Sequence, residues 1–196
     1  MPILGIVDSA KTGNLNLPTG YYQIATQTAG SGGLAAFDFT TIPQDYTHLE
    51  LRGTTRDARA VMYSGTYTQF NGDTAANYSW HDITAGNGTP YTQIGVSSNQ
   101  IITDNTLGNA SGIDANFVSP YIMRIYNYKS TTEPTIIQAQ WGYGTNGAGA
   151  YPGFANYASG SWFKNTTGVY EAVNRIRLVG NGNFLQNSTL ALYGVV

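Results

Sequence analysis

From Tyr21 onward, apolar and polar positions alternate with a period of two, and Gly, Asn and Pro punctuate the alternation. Tyr22, Ile24 and Thr26 oppose Gln23, Ala25 and Gln27, and residues 30–33 (GSGG) then predict a turn. Ala35, Phe37 and Phe39 share one face of a second strand, which Ile42-Pro43 stops. Leu49 and Leu51 point one way while His48, Glu50 and Arg52 point the other. Separate strands are predicted at 60–63 and 66–70, closed by the turn sequence Asn71-Gly72-Asp73. Another follows at 78–83, before Gly86-Asn87-Gly88, whereas 94–96 and 101–102 give only short runs.

Four clearer segments fill the C-terminal half. Residues 121–128 set Ile122 against Met123 and Ile125, so both faces are apolar and a central strand covered on both sides is predicted. Residues 135–141 bring Ile137, Ala139 and Trp141 together. Residues 173–179 turn Ile176 and Leu178 inward if Arg175 and Arg177 face solvent. Residues 189–196 oppose Leu190 and Leu192 to Ala191 and Tyr193. No window keeps apolar residues at helical spacing through three turns, and no repeat of fixed period occurs. The expectation is an all-β fold: an antiparallel β-sandwich, jelly-roll-like, over residues 20–196. Leu49, Leu51, Ile176, Leu178, Leu190 and Leu192 should form its core.

Residues 1–19 follow neither period and end in Leu17-Pro18-Thr19-Gly20, which reads as an extended N-terminal arm. Ile3, Leu4, Ile6 and Val7 are poor residues to leave in water, so the arm is expected to anchor on a neighbouring protein. The apolar run at 1–7 is too short for a secretory signal and lacks its cationic flank.

Composition adds one constraint. Only 10% of the 196 residues are charged, with a net charge of -2, whereas 13% are aromatic and 15 are Tyr. The surface must therefore be built from Thr, Asn, Gln, Ser and Tyr, which leaves few charges to keep copies apart and predicts a homo-oligomer. The 41% apolar content is too high for disorder. A pI near 5.5 without a basic run argues against nucleic acid, and no window approaches the ~18 apolar residues of a helical membrane span. With no Cys, disulfides and thiolate metal sites are excluded.

Candidate chemistry is sparse. Ser79, His81 and Asp82 make a triad on paper, but neighbours on one strand point to opposite faces. The eleven acids are scattered singly, which does not favour the paired carboxylates of a polysaccharide depolymerase. Residues 104–114 are rich in oxygen ligands but lack the alternating ligands and final Glu of an EF-hand, so no metal or cofactor is expected. Sequons at Asn77, Asn87, Asn109, Asn165 and Asn187 are what an Asn-, Ser- and Thr-rich chain contains by chance. Residues 142–153, Gly-rich and without a cation, read as a long excursion between strands, with Tyr143, Tyr151, Phe154, Tyr157 and Trp162 in or near it. Such aromatics serve subunit packing, plain loop structure or stacking on a host surface glycan, and the residues leave the three readings open.

Phe39 to Gly53 (FTTIPQDYTHLELRG), Phe70 to Ile83 (FNGDTAANYSWHDI), the opening MPILGI and the closing LALYGV resemble a family of tailed-bacteriophage virion structural proteins of marine and freshwater phages, cyanophages included. The resemblance spans the chain and is weakest at 84–116 and 142–168. It implies a non-enzymatic component of the phage particle, made in the host cytoplasm and displayed as capsid decoration or as a head or tail appendage. It implies contacts with other virion proteins and, from the three-fold positions such proteins often occupy, a homotrimer. A tail-fibre or spike adhesin binding host glycan is the alternative. The resemblance carries over no catalytic residue.

Overall fold

The computed structural model describes residues 20–86, 89–108, 116–145, 153–164 and 170–196. The arm residues Ile3, Leu4, Ile6 and Val7, and Tyr151 of the Gly-rich segment, lie outside them. Twelve strands form the described fold: β1 Tyr21–Thr28, β2 Leu34–Thr40, β3 His48–Thr55, β4 Tyr63–Phe70, β5 Tyr78–Gly86, β6 Thr89–Ser98, β7 Ile101–Leu107, β8 Ser119–Tyr126, β9 Thr135–Gly144, β10 Gly153–Trp162, β11 Arg175–Phe184 and β12 Thr189–Val195. An eight-stranded antiparallel sheet runs β1-β12-β3-β8-β9-β10-β5-β6, and a four-stranded one runs β2-β11-β4-β7. The fold is all-β, two antiparallel sheets packed as a sandwich, as the alternation predicts.

The core forms where the two inner faces meet. Leu49, Leu51, Leu190 and Leu192 of the large sheet and Ile176 and Leu178 of the small one are all fully buried. They join Phe37, Phe70, Met123, Ile125 and Ile137 in one cluster. Asn71 and Gly72 adopt φ of 51° and 73°, the left-handed pair that Asn-Gly tolerates, and this turn carries the chain from the small sheet to the large one.

Four expectations change. Strand β8 is covered on one face only: Tyr121, Met123 and Ile125 are buried while Ile122 is 41% exposed. The reason is that a two-layer sandwich covers only the inner face of each sheet, and no third layer lies on the large one among the described residues. The two short runs at 60–63 and 66–70 are a single strand, β4, preceded by a bend. The short runs at 94–96 and 101–102 lengthen into β6 and β7, because cross-strand pairing with β5 and β4 orders polar residues that carry no periodic signal. Finally, the excursion at 142–153 is shorter than expected, since β9 continues to Gly144 and β10 starts at Gly153.

Candidate functional site: the outer face of the large sheet

Cross-strand register aligns outward side chains into rows. One row reads Tyr193, Glu50, Arg124, Gln138, Ser159, His81 and Ile94 across seven strands. The next reads Ala191, Arg52, Ile122, Gln140, Tyr157, Ile83 and Thr92. In these rows the Asp, Glu, Lys and Arg side chains are confined to one place, at Glu50, Arg52 and Arg124 on β3 and β8. Everything else is amide, hydroxyl, imidazole or apolar.

Glu50 sits on this solvent-facing side and is yet only 1% exposed. Its neighbours bury it. Arg52 donates from Nε to Oε1, Arg124 donates from Nε to Oε2 at 3.0 Å, and the Tyr21 hydroxyl donates to Oε2 at 3.4 Å. The Arg52 guanidinium lies 4.1 Å from the centroid of Tyr21 and 5.6 Å from that of Tyr193. The hydrogen bonds to Glu50 hold both guanidiniums above arginine's ordinary pKa, with the carboxylate charge adding to the effect. Two arginines serve one carboxylate, so the cluster carries one net positive charge. Strand alternation gives the direction of Glu50 correctly but not its burial, which depends on the cross-strand partner Arg124 and on Tyr21 from a strand distant in sequence.

The opposite half of the face exposes aliphatic side chains among neutral polar ones. Ile83, Ile94 and Val96 are 57%, 62% and 70% exposed on the adjacent strands β5 and β6. Ile122 and Tyr157 continue the patch toward the middle of the sheet, where they and Gly142 border an open depression of about 550 Å³. Of the aromatics expected at a contact surface that are among the described residues, only Tyr157 stands on the outer face, 39% exposed. Tyr143 and Phe154 pack against each other at 5.6 Å and are buried. Trp162 is a core residue, 1% exposed, and presents no surface to a ligand. All three belong to strands rather than to a loop, and alternation turns them inward.

The two histidines lie on the outer face, on β3 and β5. His48 packs its ring 5.4 Å from Tyr126 on the outer face. His81 is exposed while its neighbour Asp82 is buried on the inner face, so the paper triad does not converge. Among the described residues, no three His, Asp or Glu side chains form a group that could hold a metal ion.

Asp82 accepts from the Gln93 N–H at 3.1 Å. Burial pushes its carboxyl above the usual range, against the opposing hydrogen bonds from Gln93 and Asn156 and the charge of His81. A raised folded pKa favours the protonated form, so Asp82 contributes stability that is full below its unfolded pKa of about 3.9 and is lost as pH rises through the folded value. Asp38, paired bidentately with Arg175 at 2.8 and 2.5 Å, is held low by that pairing and has the opposite sign: its contribution is present above its unfolded pKa and lost as pH falls through the folded one. Asp82→Asn, which cannot ionise, is therefore expected to raise the melting temperature at pH 7 relative to wild type and to lose that advantage near pH 4. Thermal melts of both proteins across that range check it, and a constant difference would refute the assignment.

No family model matches the chain, and no curated protein or solved structure matches it either.

Proposed function

We propose that the protein is a non-enzymatic structural component of a tailed-phage particle, displayed at the virion surface as a homo-oligomer that associates through the outer face of its large sheet. The observation that carries this reading is the cluster of Ile83, Ile94 and Val96, more than half exposed on a face whose fixed charges are confined to its other half. Contiguous exposed aliphatics on a sheet are costly in water and mark a contact surface. The occupant is a second copy of the chain, because 10% charge leaves little repulsion between copies. The particle assignment and the three-fold order rest on the resemblance carried by residues 39–53 and 70–83.

Burial of three large aliphatic side chains is worth roughly 1.5–3 kcal/mol each before the cost of association is subtracted. Such contacts survive salt, because screening weakens exposed ion pairs and not apolar burial. Light scattering of the purified protein at low salt and at ~1 M salt should give the same oligomer, a trimer of the 21.0 kDa chain. The Ile94→Asp/Val96→Asp double variant should be monomeric in both. A wild-type monomer at micromolar concentration overturns the assembly reading. Antibody labelling of intact virions that finds none of the protein overturns the particle assignment.

A further inference from the structure

A cleft of about 690 Å³ opens where the start of β4 meets the inner face of the edge strand β6. The strands that line it are β4, β7 and β11 of the small sheet and β6 of the large one, so the two sheets meet here around a cavity instead of a packed core. Its volume is in the usual range for small-molecule sites, about 300–1,000 Å³. Tyr63, Tyr67 and Tyr91 supply its rings, Gln93 and Asn181 supply amides, and Arg59 also lines it.

Three features separate this cleft from an ordinary surface groove. The first is a pair of half-exposed rings: Tyr63 and Tyr91, which line the cleft, are 40% and 38% exposed. Tyrosines at a concave wall offer a ligand both ring faces and hydroxyls that can hydrogen-bond. The second is rigidity. The Tyr63 ring is packed 5.0 Å from Phe154, and Tyr67 donates its hydroxyl proton to Asn181 Oδ1 at 2.8 Å, which leaves the Asn181 amide N–H groups available as donors. A methyl group at Gly65 would come within 3.0 Å of the Tyr67 hydroxyl and 3.1 Å of Asn181 Nδ2, so glycine is what keeps that corner open.

The third is the mounting of the cation. Asp57 is fully buried and accepts the Arg59 N–H at Oδ1 (2.7 Å) and the Gly182 N–H at Oδ2 (2.9 Å). One carboxylate thus fixes the backbone beside Arg59 on one rim and beside Asn181 on the other. The Arg59 side chain is exposed, and its guanidinium is in no ion pair among the described residues.

We propose that this cleft binds an acidic oligosaccharide: a sugar ring against the faces of Tyr63 and Tyr91, its hydroxyls on Gln93 and Asn181, and its carboxylate on Arg59. Phenol rings match the C–H face of a pyranose, neutral amides match its hydroxyls, and a guanidinium matches a carboxylate bidentately. The site is distinct from the aliphatic patch, and the inference does not depend on the particle assignment.

The test uses the full chain on an array of immobilised oligosaccharides, some bearing uronate or sialate residues and some neutral. Retention on acidic members is expected. Tyr91→Ala and Arg59→Gln should each weaken it at least ten-fold, with melting temperatures near wild type because both side chains are on the surface. Ile94→Asp/Val96→Asp should leave the cleft's affinity for a single soluble oligosaccharide unchanged, measured by saturation-transfer NMR, which separates this site from assembly. Should either single variant fold poorly, Gln93→Ala provides the same reading. Retention of neutral sugars alone, retention of none, or equal binding by wild type and the cleft variants overturns the proposal.

Discussion

Trp162→Ala is expected to cost about 3–5 kcal/mol of stability, the range seen when a buried indole is emptied from a core. Trp162 closes an aromatic knot at the end of the sandwich, with its ring 5.6 Å from Phe70 and 6.3 Å from Tyr78. Its Nε1 donates to Asp73 Oδ2 at 2.8 Å. The Tyr78 hydroxyl accepts the Phe70 N–H at 3.0 Å and donates to the Asp73 carbonyl at 2.9 Å, tying the same turn a second time. Burial pushes the Tyr78 phenol up, so it stays neutral and keeps donating. Burial works to raise Asp73 as well, but hydrogen bonds from Asn77, Trp162 and the Ala75 N–H outweigh it and hold the carboxyl below its usual range. Trp162→Phe keeps most of the packing and loses only the charged hydrogen bond, so its cost should be nearer 1–3 kcal/mol. Urea unfolding of both variants measures the two parts. A loss below ~1 kcal/mol for the alanine variant would mean that the knot is not part of the cooperative core.

Gly53→Ala should be comparably damaging although it adds a single methyl group. A Cβ there would sit 1.9 Å from the Thr189 carbonyl oxygen and 2.9 Å from the Leu190 Cα. Both are backbone atoms of β12, the partner of β3, so no rotamer relieves the overlap and the two strands must separate. The cost is expected at the upper end of overpacking, roughly 3 kcal/mol or more. Gly30→Ala is the matched control: a methyl group there meets nothing within 4 Å, and its effect should be within about 0.5 kcal/mol. Equal melting temperatures for the two variants would refute this account of β3 and β12.

The sequence revealed most where one residue type decided one face. Leu49 and Leu51, and Leu190 and Leu192, recur at every second position, and all four are buried. It revealed least where a partner distant in sequence decided the outcome. Ile24 and Ala25 are both half-buried because a bulge between Gln23 and Ala25 shifts the register of β1 against β12, and no composition rule marks that site. Ile122 looks like a core residue, but it points to the outer face of the large sheet, which no third layer covers among the described residues. The cleft was hidden because segments distant in sequence assemble it. Tyr63, Tyr91 and Asn181 come from three strands and two sheets, whereas Trp141, Tyr143, Phe154 and Trp162, an aromatic grouping plain in the sequence, are buried.

The irregularities of the large sheet have a consequence for what can be built from it. Its border strands are β1 and β6, whose outer rows of N–H and C=O groups would be templates for endless strand addition. Both borders are broken. β1 carries its bulge at Gln23/Ala25, and β6 carries Pro90, a register shift opposite Tyr78/Trp80 and Ser97 in the left-handed region at φ 51°. Strand-to-strand growth is thereby frustrated while side-chain contact across the flat face stays open. Contacts of the second kind can close around a symmetry axis, whereas growth of the first kind has no natural end. A chain so rich in Thr and Tyr and so poor in charge would otherwise be a candidate for fibrils; its frayed borders bias it toward assemblies of finite size.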